Sequence, residues 1–172
     1  MVAGSLIATV FGLIFIEINS GGLPSDWPSG IRITGAVAAA GLLLAILRTS
    51  RLARAQTPRD NAGLADPRYL AIVGIEAAAL FGGLAVINLA LNSPALAVPW
   101  IALVVGAHFF GLARLWHLTS FLMLGVALVI LGGAGFLLTA LSVSPGAVNL
   151  VSGAGSGAAL FIAAGAAVVK AN

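Results

Sequence analysis

Four ionisable side chains fall inside or at the ends of long apolar stretches of this sequence, where a buried charge is costly. They are Glu17, Arg32, Glu76 and His108. A carboxylate and an imidazole at one depth of an apolar environment can form an ion pair or share a proton near neutral pH. These residue types therefore favour proton-linked chemistry.

Motifs for other kinds of chemistry are missing from the sequence. It has no cysteine, so we expect no thiolate site. Its two histidines, His108 and His117, are nine residues apart and cannot meet on one ligand within a straight helix, and no Asp, Glu and His cluster has metal-ligand spacing, so we expect no metal site. The serine in Gly155-Ser156-Gly157 is followed by no histidine that could act as its base. No P-loop and no dinucleotide-binding fingerprint occurs. We therefore expect no catalytic residue and no cofactor, and the sequence does not favour an enzyme.

The composition points to a membrane protein. Of the 172 residues, 60% are hydrophobic and 8% are charged, whereas soluble domains carry roughly 25% charged residues. So few charges cannot cover the surface of a soluble fold. A net charge of only +3 also gives no reason to expect nucleic acid as a partner.

Six apolar stretches approach the length of about 20 residues that a membrane-spanning helix needs. We predict an all-α bundle of six transmembrane helices forming one domain over residues 1–172, with a basic loop over 48–68. The predicted helices cover residues 2–18, 31–47, 69–91, 96–113, 118–141 and 147–169. The first stretch has an alternative interpretation as a cleaved signal peptide, although it lacks a basic residue at its start.

The positions of the basic residues predict the orientation of the bundle. Seven of the eight lysines and arginines fall in the loop 48–68, between the fourth and fifth helices, or after the sixth. Only Arg32 falls on the other side. Because cytoplasmic loops are enriched in lysine and arginine, we expect both termini in the cytoplasm of a bacterial inner membrane.

Glu76 and His108 are predicted to lie at the same depth. From the predicted helix ends, Glu76 is roughly 10 Å and His108 roughly 9 Å from the cytoplasmic side. Their helices are joined by four residues and should be antiparallel neighbours. The pair is therefore a candidate proton or solute site, although the rotation of each helix about its axis leaves open whether the side chains meet. The alternative is that each is a hydrogen-bonded core residue.

Three further groups of residues have structural and functional interpretations. Glu17 and Arg32 lie at the outer ends of the first two helices and are a candidate external pair. Small residues cluster in two of the predicted helices, and they predict close helix packing or a dimer face. These clusters centre on Gly153, Gly157, Gly35 and Gly41. Arginines of the basic loop form a candidate patch for anionic lipid or a partner, and they are Arg48, Arg51, Arg54 and Arg59.

Two functions fit these observations. The first is a transporter or channel for a small solute or ion, linked to protons through Glu76 and His108. The second is a non-catalytic subunit that interacts with or assembles a larger membrane complex. Either would have the lipid bilayer as a partner, and tight packing of six short helices favours a homo-oligomer or a membrane-protein partner.

Overall fold

The computed structural model describes residues 2–22, 26–54 and 66–170. The described residues form six helices and no strands, which confirms the all-helical prediction. The helices are α1 Val2–Asn19, α2 Trp27–Arg54, α3 Pro67–Ala90, α4 Pro94–Trp116, α5 Thr119–Ala140 and α6 Pro145–Val169.

Three of these helices start at a proline, which suits the first turn because that turn needs no backbone N–H donor. Pro67, Pro94 and Pro145 occupy these positions. At α3, the Asp66 carboxylate also accepts a hydrogen bond of 2.8 Å from the backbone N–H of Arg68. Several helices extend beyond the predicted bounds, α2 most of all. Hydrophobicity marks only the apolar part of a helix, whereas its hydrogen bonds continue into polar ends.

Five helices, α2 to α6, are long and apolar enough to cross a membrane. The apolar part of α1, Gly4–Asn19, is shorter. Large apolar side chains such as Phe81, Leu89 and Ile162 point away from the bundle and are exposed. An apolar outer surface is what a bilayer requires, so these features support a multi-pass membrane protein.

The helices pack in the order α3, α4, α5, α6, α1, α2, so that α3 and α2 lie at opposite ends. The central helix α6 contacts α1 and α5 extensively and also touches α2 and α4. By contrast, α3 makes its main contacts with α4 alone. A core of Phe15, Leu124, Leu128 and Leu160 joins α1, α5 and α6.

Glycines let the helix backbones approach closely on both sides of α6 and between α4 and α5. A Cβ atom at Gly157 would lie 2.6 Å from the Gly12 carbonyl oxygen of α1, and one at Gly153 would overlap Asn19. At Gly35 of α2, a Cβ would lie 2.8 Å from Ile16 Cγ2. In the α4–α5 contact, a Cβ at Gly132 would lie 2.8 Å from the Pro99 carbonyl oxygen. These positions exclude any larger side chain.

Gly41 does not match the prediction that it packs closely. A Cβ atom there would have nothing within 4 Å, because Gly41 lies on the exposed side of α2. The run of small residues in α2 therefore packs through Gly35, whose position is buried, and not through its whole length.

Hydroxyl and amide groups buried in the bundle bond to nearby carbonyl oxygens. Ser156 donates to the Ser152 carbonyl, Thr9 donates to the Ser5 carbonyl, and Asn19 donates to the Phe15 carbonyl. Ser152 donates across the interface to the Leu131 carbonyl of α5, at 3.2 Å. A π-helical turn over Leu150–Ala154 holds this serine towards α5 while the adjacent glycine faces α1.

We expect Gly157→Leu to destabilise the protein by about 1–3 kcal/mol, because its side chain would displace the α1 backbone. Thermal unfolding in detergent measures the effect. The matched control is Gly41→Leu, which enters open space and should leave the midpoint unchanged. Equal stability of the Gly157 variant and the wild type would show that α1 and α6 do not pack in this way.

Candidate functional site

Glu76 and His108 come together between α3 and α4. Glu76 follows the start of α3 by nine residues and His108 precedes the end of α4 by eight residues. At 1.5 Å per residue, these spacings place them about 14 and 12 Å from the same end of the two antiparallel helices. The structure also supplies the helix rotation that sequence reasoning left open, because both side chains point into the α3–α4 interface.

The contact joins Glu76 Oε2 to His108 Nδ1 at 2.9 Å. The histidine side chain is 12% exposed and the carboxylate side chain is 23% exposed. Nδ1 is buried, and the carboxylate does not lie along its N–H direction, so the contact is close without being an aligned hydrogen bond.

Aromatic contacts on either side of this pair attach α3 to α4. Towards one end, Trp100 Nε1 donates a hydrogen bond of 3.2 Å to the Ala79 carbonyl oxygen, and the indole covers Gly83. Towards the other end, the rings of Tyr69 and Trp116 stack with centroids 5.7 Å apart. The pair therefore lies between two aromatic contacts along an otherwise apolar helix interface.

A surface groove of about 1150 Å³ opens at the end of the bundle where α3 and α5 begin and α4 ends. Its lining includes Ile72 and Gly111. These residues lie about one helical turn from Glu76 and His108 along α3 and α4. The groove therefore approaches the pair from this end of the bundle.

Glu17 and Arg32 lie near the opposite end of the bundle and also come together. Arg32 Nε donates to the Glu17 carbonyl oxygen at 3.1 Å and to Ser20 Oγ at 3.3 Å, and it lies 3.9 Å from Glu17 Oε2. The side chain of Arg32 is 45% exposed and that of Glu17 is 37% exposed. Exposed pairs of this kind contribute about 0–1 kcal/mol. The geometry fits a link across the α1–α2 turn better than a buried site.

The predicted arginine patch is described only in part. Arg48 is exposed on α2. Arg51 and Arg54 fall within the last turn of that helix, and Arg59 lies outside the described residues. Within the described ranges, no three histidine, aspartate or glutamate side chains are grouped so that they could hold a metal ion.

Sequence reasoning missed two features of the site. The indole of Trp100 bonds to α3, and the groove is built from residues at the ends of three helices. The basic and aromatic residues at the end of α4 were the available signal for the groove. That these residues lie beside the start of α3 is seen only in the tertiary structure.

Comparison with known proteins gives no family for this chain: no family model, no curated protein and no solved structure matches it. Its function therefore has to be inferred from the site itself.

We expect Glu76 and His108 to be energetically coupled. In a double-mutant cycle with Glu76→Gln and His108→Gln, the coupling energy should reach about 1 kcal/mol or more, because each change leaves a poorly hydrated partner. Thermal unfolding in detergent at neutral pH supplies the four stabilities. The same cycle on the exposed Glu17 and Arg32 should give less than about 0.5 kcal/mol. Additive effects at Glu76 and His108 would contradict the coupling.

Proposed function

We propose that this chain is a small transporter or channel for a solute or ion in the bacterial inner membrane, linked to proton transfer at Glu76 and His108. The observation that carries the proposal is the contact of 2.9 Å between these two side chains. A carboxylate and an imidazole among apolar helices are costly to retain, and such residues commonly mark proton or ion pathways.

The attachment of α3 suggests how proton transfer is linked to movement. Because α3 packs mainly on α4, its position depends on few contacts, and the Glu76–His108 pair is one of them. Adding a proton to the carboxylate removes the attraction between opposite charges, whereas adding one to the imidazole creates it. We therefore infer that the protonation state of the pair biases the position of α3 against α4.

The proposal includes six spans with both termini in the cytoplasm. α1 contains 18 residues, about 27 Å of helix, which is close to the thickness of the hydrocarbon core. Its side chain Phe15 belongs to the core, and Gly12 contacts α6. Because α1 packs into the bundle in this way, we infer that it is retained as a membrane span and is not removed as a signal peptide. The orientation follows from the positions of the basic residues.

The second candidate function, a subunit that assembles with other membrane proteins, is favoured by the outer face of α3. Gly74, Ala78 and Gly82 are exposed at intervals of four residues along this face. Cβ atoms at the two glycines would have nothing within 4 Å. Such a row of small residues permits close approach of a further helix from a second copy or a partner.

We expect the protein in liposomes to increase proton flux when a pH gradient is imposed, and Glu76→Gln to reduce this flux to that of protein-free vesicles. A trapped pH-sensitive dye reports the flux, with valinomycin and potassium holding the membrane potential constant.

The control variant for this experiment is Glu17→Gln, which removes an exposed carboxylate at the opposite end and should leave the flux unchanged. Wild-type flux equal to that of empty vesicles would favour the assembly subunit. Wild-type flux in the Glu76 variant would remove the carboxylate from the mechanism.

Single-cysteine labelling should give the orientation, because the chain has no cysteine of its own. We expect Ser144→Cys, in the exposed turn between α5 and α6, to react with a membrane-impermeant maleimide on intact cells. Lys170→Cys, at an exposed position after the end of α6, should react only after the membrane is opened. Labelling of Lys170→Cys on intact cells would exclude the cytoplasmic C-terminus.

A further inference from the structure

The groove beside α3, α4 and α5 combines a cationic rim with an apolar floor. Arg68 and Arg114 supply the charge of the rim, His117 lies beside them, and Ile72, Phe110 and Leu122 belong to the floor. Among the residues that the structure describes, no acidic residue lines it. The nearest acidic residue along the chain, Asp66, uses one carboxylate oxygen to cap α3.

Both arginines of the groove are available to an anion from outside the chain. Arg68 and Arg114 are exposed, and neither guanidinium forms an ion pair with a carboxylate in the part of the chain described here. The hydrogen bond that Asp66 accepts comes from the backbone N–H of Arg68 and leaves the side chain of Arg68 unused. An arginine side chain presents a planar set of donors that matches phosphate oxygens.

The position of the groove indicates what kind of anion it takes. It opens at the ends of apolar helices, at the level where lipid headgroups meet a multi-pass protein, and its floor is apolar. A free phosphate ion would gain nothing from such a floor, whereas a phospholipid would place its phosphate at the rim and an acyl chain along the floor.

We propose that this groove binds one anionic phospholipid, with its headgroup phosphate between Arg68 and Arg114 and an acyl chain against Ile72, Phe110 and Leu122. The proposed site does not depend on transport. Because the groove ends about one helical turn from Glu76 and His108, the bound acyl chain lies next to the approach to that pair.

Native mass spectrometry of the full chain in detergent tests the proposal. The probes are phosphatidylglycerol and phosphatidylcholine with identical acyl chains, and inorganic phosphate. We expect the first bound molecule of phosphatidylglycerol to bind more tightly than the first bound molecule of phosphatidylcholine. Each arginine should contribute about fivefold, so Arg68→Gln with Arg114→Gln should weaken binding by about 25-fold. Lys170→Gln, which changes an exposed basic residue outside the groove, should have no effect.

A second pair of variants keeps the test independent of the arginines' role in folding. Thr119 lines the groove at the start of α5, whereas its exposed neighbour Ser120 does not. A glutamate near the start of a helix is tolerated or favoured, so Thr119→Glu and Ser120→Glu should both fold. Only Thr119→Glu should weaken phosphatidylglycerol binding, through repulsion of the phosphate.

Three results would overturn the proposal. The first is equal binding of the two lipids by the wild type. The second is an equal loss of binding in the Thr119 and Ser120 variants, which would indicate a diffuse charge effect. The third is inorganic phosphate that binds as tightly as the lipid or displaces it, which would make the groove an anion site without a role for the acyl chain.

Discussion

The fold depends on how closely helix backbones can approach α6. This helix touches four others, and its glycines leave room for the carbonyl of Gly12 and the side chain of Asn19 from α1. In a bilayer, burying apolar side chains gives little advantage over leaving them in lipid, so close packing and buried hydrogen bonds have to hold helices together. The hydrogen bond from Ser152 to the Leu131 carbonyl adds a direct link between α6 and α5.

The candidate site lies away from this rigid centre. α1, α5 and α6 share the core, whereas Glu76 is on α3, which meets the bundle mainly through α4. A charge change at the pair therefore acts on a helix with few other contacts. A charge change at the α1–α6 interface would instead act between two helices whose backbones are in close contact and have no space to move.

Much of the site could be predicted from sequence because depth in a bilayer follows from counting residues. Glu76 and His108 lie on antiparallel helices joined by a short turn, and equal distances from that turn give equal depths. Their rotation could not be predicted, because α3 is apolar on all sides and has no polar face to orient it. The exposed Gly41 shows the same limit, since small residues occur on packed and lipid-facing sides alike. The apolar pattern underestimates the length of α2, because this helix continues into polar residues. The π-helical turns have no simple residue signature.

The pairing of α1 with α6 also has a consequence for biosynthesis. α1 precedes the other described helices in the sequence, yet the helix against which it packs most extensively follows all of them. Until α6 is inserted, Gly12 of α1 and the buried side chains of Thr9 and Asn19 lack their native neighbour. Contacts between such distant segments form late in folding. A ribosome that stalls before α6 would leave an incompletely packed intermediate, which membrane proteases and insertion chaperones are suited to recognise.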